Sequence, residues 1–283
     1  MPGEFQRTFR LYKRGLRKRS TADRFLRGTS WTIVPRALHR CYQGAGNRGF
    51  LNDVLWGQYC LFLYVRMRDD IFDGHVVGKR LQEIAENFLS EGLQAFARHF
   101  GSRSPFWKEC RRLLRGSLRA IARVDKLQTR RSTLPPVLLR NYAKVSGIFK
   151  IGSAAVCIYA NHRNHFRRVA QSLDEMAMAG HILDDAEDLD DDWKNKRINY
   201  AALVLLRHSP GRGTGNSYRR GEGRQLMFSA ALMAGIIREA QRHLIRSKHA
   251  LRGLILPEVE HFVGMQNRHL SQLSRSLEEA ATQ

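Results

Sequence analysis

The chain has 283 residues, of which 43% are hydrophobic, and carries 48 Lys plus Arg against 26 Asp plus Glu for a formal net charge of +22. The apolar share is enough for a sizeable core, and no uninterrupted apolar run approaches the roughly 18 residues of a membrane span, so the sequence reads as a soluble, cytoplasmic protein. The basic balance would suit nucleic acid, an anionic membrane surface or an anionic substrate. However, no nucleic-acid motif appears and the arginines look scattered rather than gathered into a stripe, so no nucleic-acid partner is expected.

Residues 1–30 carry nine Lys or Arg against Glu4 and Asp23, interleaved with Phe5, Phe9, Leu11, Tyr12 and Leu16. This basic N-terminal segment reads as a peripheral helix packed outside the main domain of residues 31–283. An amphipathic helix contacting an anionic membrane surface and a targeting peptide are its competing readings. A Gly-rich turn at residues 41–50 leads into dense helical apolar spacing from Leu51 through Trp56, Tyr59, Phe62 and Tyr64. That helix ends at the cluster Asp69, Asp70 and Asp73, before Gly74. Carboxylates at a helix C-terminus oppose the macrodipole, an oddity that a bound cation would resolve.

An apolar stripe at helical spacing follows over residues 79–100. Ser104-Pro105 then reads as N-cap and first-turn proline of a helix running to about Val124. A basic loop leads to a helix near residues 136–160, where the series Gly147, Gly152, Ser153, Ala154 and Ala155 suits close helix packing or backbone approaching a ligand. Residues 164–192 form a helix bearing the second acidic cluster, residues 198–206 a short apolar helix, and residues 208–223 a Gly, Ser and Arg-rich loop that reads as mobile and plainly disordered, a lid that orders over a diphosphate being its competing reading. Two helices, at about 224–250 and 256–281, close the chain. Few runs alternate in the strand manner, and an all-α fold is expected. Cys41, Cys60, Cys110 and Cys157 follow no metal-ligand spacing and read as reduced core thiols.

Seven of the 26 acidic residues fall between Asp184 and Asp192. Asp184, Asp185 and Asp188 follow D-D-x-x-D, which on a helix sends the first and last carboxylates out on one face. Such crowding raises each pKa unless a cation sits between, and a hard divalent metal with oxygen ligands is the simplest cation to supply. One acidic run alone reads as a solvated helix face. The repeat at Asp69, Asp70 and Asp73 allows two clusters to face each other.

On these two clusters the chain resembles the class I isoprenoid-diphosphate enzymes, the trans-prenyl diphosphate synthases and terpene synthases that share one fold. The resemblance implies a single bundle of about ten helices around a central active-site cavity, a homodimer, and three magnesium ions held by both clusters around an allylic diphosphate. The stretch YAKVSGIFKIGSAAVC is similar to the family's helix with a Lys-Thr pair, which puts Lys144 beside the diphosphate, with Val145 in place of the Thr. Lys196 and Arg197 follow the second cluster as further diphosphate contacts, the guanidinium being suited to bidentate binding. Asp192 and Asn199-Tyr200 stand where members carry a further Asp and a Thr-Tyr pair.

Metal ions act on such a substrate as Lewis acids and templates. The allylic cation then needs a dry pocket, ideally faced with aromatic rings. Trp56, Tyr59, Phe62, Tyr64 and Phe149 are the lining candidates. Tyr64, five residues before Asp69 and so roughly 7.5 Å nearer the pocket base, would by resemblance limit product length. Departures from the family bear on the reaction. Only Arg48 represents the upstream basic segment that binds isopentenyl diphosphate, Lys79-Arg80 is out of register with the expected Arg pair, and Gly180-His181 replace Phe-Gln. The leading expectation is ionisation of one allylic diphosphate followed by cyclisation or rearrangement. Condensation with isopentenyl diphosphate is the alternative, and a non-catalytic regulatory subunit or a basic membrane- or RNA-binding protein is the reading from another class.

Overall fold

A computed structural model of the chain describes residues 30–42, 48–72, 79–130, 133–208 and 230–282. The basic N-terminal segment to residue 29, Asp73 and most of the loop expected at 208–223 lie outside the described residues. Those described are helical, with no strand among them. In chain order the elements are α1 (Ser30–Cys41), α2 (Arg48–Phe72), α3 (Lys79–Ala97), α4 (Pro105–Gln128), α5 (Pro135–Val145), a 3-10 segment (Ser146–Lys150), α6 (Ile151–Tyr159), α7 (Arg163–Glu187), α8 (Leu189–Lys194), α9 (Tyr200–His208), α10 (Ala230–Ala250) and α11 (Pro257–Thr282).

Local chemistry fixes several of these boundaries. Ser104 caps α4, its hydroxyl accepting from Phe106 N–H at 3.3 Å with Pro105 in the first turn, where a missing N–H costs nothing. Asn199 caps α9 by accepting from Ala202 N–H at 2.9 Å, the position at which Asn is favoured. At the end of α8, Lys196 N–H bonds Trp193 C=O and Arg197 N–H bonds Asp192 C=O. This is a Schellman turn, whose left-handed position Lys196 fills at φ 59° in place of the usual glycine.

The single helix expected over residues 136–160 is three pieces, and Gln58 supplies the reason. Its side-chain oxygen accepts from Gly152 N–H, while its amide donates to Trp31 C=O at 2.8 Å. A side chain inserted in this way interrupts the helical ladder. Gly152 has no room for a methyl group, because a Cβ there would lie 2.2 Å from that Gln58 oxygen. At Gly147 a Cβ would lie 2.9 Å from Ser117 Oγ on α4. The small-residue series therefore serves helix packing, with Gly152, Ser153, Ala154 and Ala155 all buried.

Three packed pairs frame the molecule: α2 against α3, α7 against α10, and α10 against α11. Between them α4, α5, the 3-10 segment and α6 close the core around Phe96, Phe106, Leu138, Ile148 and Ile182, each under 2% exposed. A side chain of this kind contributes about 1.5–3 kcal/mol when fully buried. All four cysteines are free; burial pushes the thiols of Cys60, Cys110 and Cys157 up to about 12, so they behave as core thiols. No helix among the described residues is long and apolar enough to cross a membrane.

The expectation of scattered arginines is corrected by α4. Lys108, Arg111, Arg112, Arg115, Arg119 and Arg123 are all exposed, and at 100° per residue they fall within about 60° of one line along the helix. Neighbours such as Arg111 and Arg115 stand four residues apart, where like charges destabilise a helix by about 0.2–0.5 kcal/mol per pair. The stripe is invisible to a count of charges because α4 also carries the apolar positions Phe106, Cys110, Leu113 and Ala120 on its buried face.

Candidate active site

A single apolar pocket takes in parts of both acidic stretches. It is lined by Phe62, Val65, Arg66 and Asp69 from α2, Ile121 from α4, Val145 to Phe149 in part, and Leu173, Met176, Gly180, His181 and Asp184 from α7. On α2 the lining follows helical spacing, with Phe62, Arg66 and Asp69 one face of the helix. On α7 the face is Leu173, Met176, Gly180 and Asp184. Asp69 and Asp184, remote in sequence, thus line one space whose walls are mostly apolar. Its free volume is about 80 Å³, against roughly 300–1,000 Å³ for pockets that hold drug-sized ligands. Phe62 and Phe149 fill much of the room, their ring centroids 5.7 Å apart.

The first cluster carries its own cation. Arg66 reaches Asp69 Oδ2 at 3.5 Å and Asp70 Oδ1 at 3.3 Å from three and four residues upstream, which offsets the unfavourable position of carboxylates at the C-terminal end of α2. Asp70 is 3% exposed and does not line the pocket. Sequence reading missed Arg66, although the i,i+3 and i,i+4 spacing to Asp69 and Asp70 is plain in RMRDD.

The second cluster divides. Asp184 lines the pocket. Asp185, one residue on and so turned by about 100°, is buried away from it; its Oδ2 accepts from Tyr142 hydroxyl and from Tyr200 N–H, both at 2.7 Å. Burial pushes the Asp185 carboxyl well above the usual range, the two donors opposing that rise and the charges of Asp192 and Asp184 adding to it. Tyr142 is held in turn by Gln128 Nε2 at 3.1 Å. Asn199 donates both to Asp185 C=O at 2.8 Å and to Asp192 Oδ2 at 2.9 Å. Asp185, Tyr142 and Asn199 therefore tie α5, α7, α8 and α9 into one rigid support beneath Asp184. Asp188 is exposed at the end of α7. Partial burial and then the charges of Asp184 and Asp192 push its carboxyl up to about 6.

His181 lines the pocket, stacks on Tyr142 at 4.5 Å and lies 3.4 Å from Ser146 Oγ through Nε2. Phe149 lines the pocket as well. Other candidates fall elsewhere. Tyr64 is buried beside the charges of Glu86 and Arg68, toward α3, and its hydroxyl is raised mainly by that burial. It does not line the pocket; Val65 does. Trp56 is 47% exposed and Tyr59 stacks on Trp31 at 5.7 Å. Lys144 and Lys196 are exposed and off the lining, although Val145 and Ser146 beside Lys144 belong to it. Arg197 is half-buried and acts on Asp192, whose carboxyl burial raises and this guanidinium lowers.

Among the described residues no three His, Cys, Asp or Glu side chains gather closely enough to hold one metal ion. Magnesium takes one or two carboxylates per ion with waters and ligand phosphates supplying the rest, and Asp69 and Asp184 on the pocket lining, with Asp188 at the end of α7, are the carboxylates that could meet that need. No family model, no curated protein and no solved structure matches this chain.

Proposed function

We propose that the protein binds an allylic prenyl diphosphate with its charged head between Asp69 and Asp184, ionises it with magnesium, and lets the hydrocarbon cyclise or rearrange within an isoprenoid-synthase-type bundle. The observation that carries this reading is the shared pocket, whose mostly apolar lining includes Asp69 and Asp184 from two Asp-rich stretches remote in sequence. Asp69, Asp184 and Asp188 would hold the metal, which when bound neutralises charge on the departing diphosphate. Tyr142 and Asn199 orient the helix end that carries Asp184, while Asp185 anchors it from behind. Phe62 and Phe149 exclude water and present ring faces, which stabilise positive charge without reacting with it. Lys144 and Lys196, exposed and free to swing, are suited to meeting the diphosphate at the rim.

The volume favours a short chain. On this reading a hydrocarbon tail makes room for itself by displacing Phe62 and Phe149, whose rings lie 5.7 Å apart on the lining. Incubating the protein with magnesium and geranyl, farnesyl or geranylgeranyl diphosphate, each with and without isopentenyl diphosphate, tests the reading. A hydrocarbon or alcohol from the allylic substrate alone, lost in Asp69→Ala and Asp184→Ala, is the expected result. Longer diphosphates formed only with isopentenyl diphosphate would transfer the site to chain elongation, and absence of turnover from folded protein would overturn both.

A further inference from the structure

We propose that the exposed face of α4 is a docking surface for an anionic lipid membrane. Lys108, Arg111, Arg115, Arg119 and Arg123 run along the helix with no ion-pair partner among the described residues. Arg112, the neighbouring cation of the stripe, pairs with Glu109. Across a groove from Arg112, α7 adds the exposed Arg163 and Arg167. The 24 residues of α4 span about 36 Å, and although Lys108, Arg111, Arg112, Arg115 and Arg119 border one open depression, the cations continue beyond it to Arg123 as a long array. Repulsion along the stripe works against the helix that displays it, and an opposing layer of negative charge removes that repulsion.

A lipid surface fits this array better than a nucleic acid does. No large apolar or aromatic side chain stands exposed on α4 to stack against a base, and base stacking supplies much of single-strand binding. The groove that a phosphate backbone would follow is lined by Glu109 and Asp174 as well as by arginines. A planar layer of headgroups touches only the outward tips of the stripe and avoids those carboxylates. The inner side of α4 contributes Ile121 to the apolar pocket, so docking would set the pocket one helix away from the bilayer. The inference stands whether or not the pocket takes a prenyl diphosphate.

Co-sedimentation of the full chain with vesicles tests it, comparing phosphatidylcholine alone with phosphatidylcholine plus phosphatidylglycerol at low and high salt. Each basic residue near an anionic surface strengthens binding about fivefold. Arg111→Gln, Arg115→Gln, Arg119→Gln and Arg123→Gln together should weaken binding to the anionic vesicles about 600-fold. The same number of substitutions in the basic N-terminus, Arg14→Gln, Arg17→Gln, Lys18→Gln and Arg19→Gln, should cost clearly less. All four stripe positions are exposed, and helicity by circular dichroism confirms that both variants fold. Equal binding to neutral vesicles, an unchanged affinity of the stripe variant, or stripe-dependent binding of a duplex oligonucleotide without vesicle binding would each overturn the proposal.

Discussion

Lys196 holds a backbone conformation that costs an L-residue roughly 1–2 kcal/mol and glycine almost nothing. Its side chain is exposed beside the second acidic cluster, so nothing in the packing compensates. Lys196→Gly should therefore raise stability by about 1 kcal/mol, read as a higher denaturant midpoint with an unchanged slope. Turnover of an allylic diphosphate should fall in the same variant, because the cation at the rim is gone. Asp188 yields a second expectation at this scale. With its native carboxyl at about 6 and an ordinary value of 3.8, the folded chain binds more protons than the unfolded chain between those values. Its contribution to stability therefore falls as pH rises from about 4 to about 6, then levels off. Magnesium with inorganic diphosphate should raise the melting temperature more at pH 7 than at pH 5, where the ion must displace that proton; an equal rise at both would remove Asp188 from the metal set.

At the scale of elements, the break between α5 and α6 is held by one side chain from a distant helix. Gly152→Ala sets a methyl group against the Gln58 oxygen and removes its bond to the backbone, so a loss of about 1–3 kcal/mol is expected from overpacking, measured by chemical denaturation. Helix positions were largely legible in the sequence, because apolar spacing and caps such as Ser104 act locally. The breaks at residues 146–150 and at Asp188 were not, since the first depends on Gln58 arriving from α2, and no window around Gly152 contains it. The stripe on α4 was legible in principle from its four-residue spacing and was lost in the high background of arginine across the chain.

For the whole molecule, the sequence located both acidic stretches but could not divide their work. Asp184 and Asp185 are adjacent and chemically identical, yet one lines the pocket and the other is buried against Tyr142 and Tyr200; helix rotation decides this, and only the positions of α5 and α9 reveal which way. Likewise Tyr64 and Val65 exchange roles because α3 covers one side of α2. Asp69 and Asp184 both line one mostly apolar pocket, a juxtaposition that depends on how α2 and α7 pack and that no local spacing encodes.

The aromatic contact between Phe62 and Phe149 continues outward. Trp31 on α1 stacks on Phe62 at 6.1 Å and on Tyr59 at 5.7 Å. On the proposed function, a tail that parts Phe62 from Phe149 would disturb the indole ring stacked on Phe62, which would make the protein its own optical sensor. Titrating a non-hydrolysable allylic diphosphate analogue should shift the tryptophan emission in proportion to occupancy, and Trp31→Phe should diminish the shift while leaving the affinity intact. Pocket filling could then be followed in real time without label or turnover.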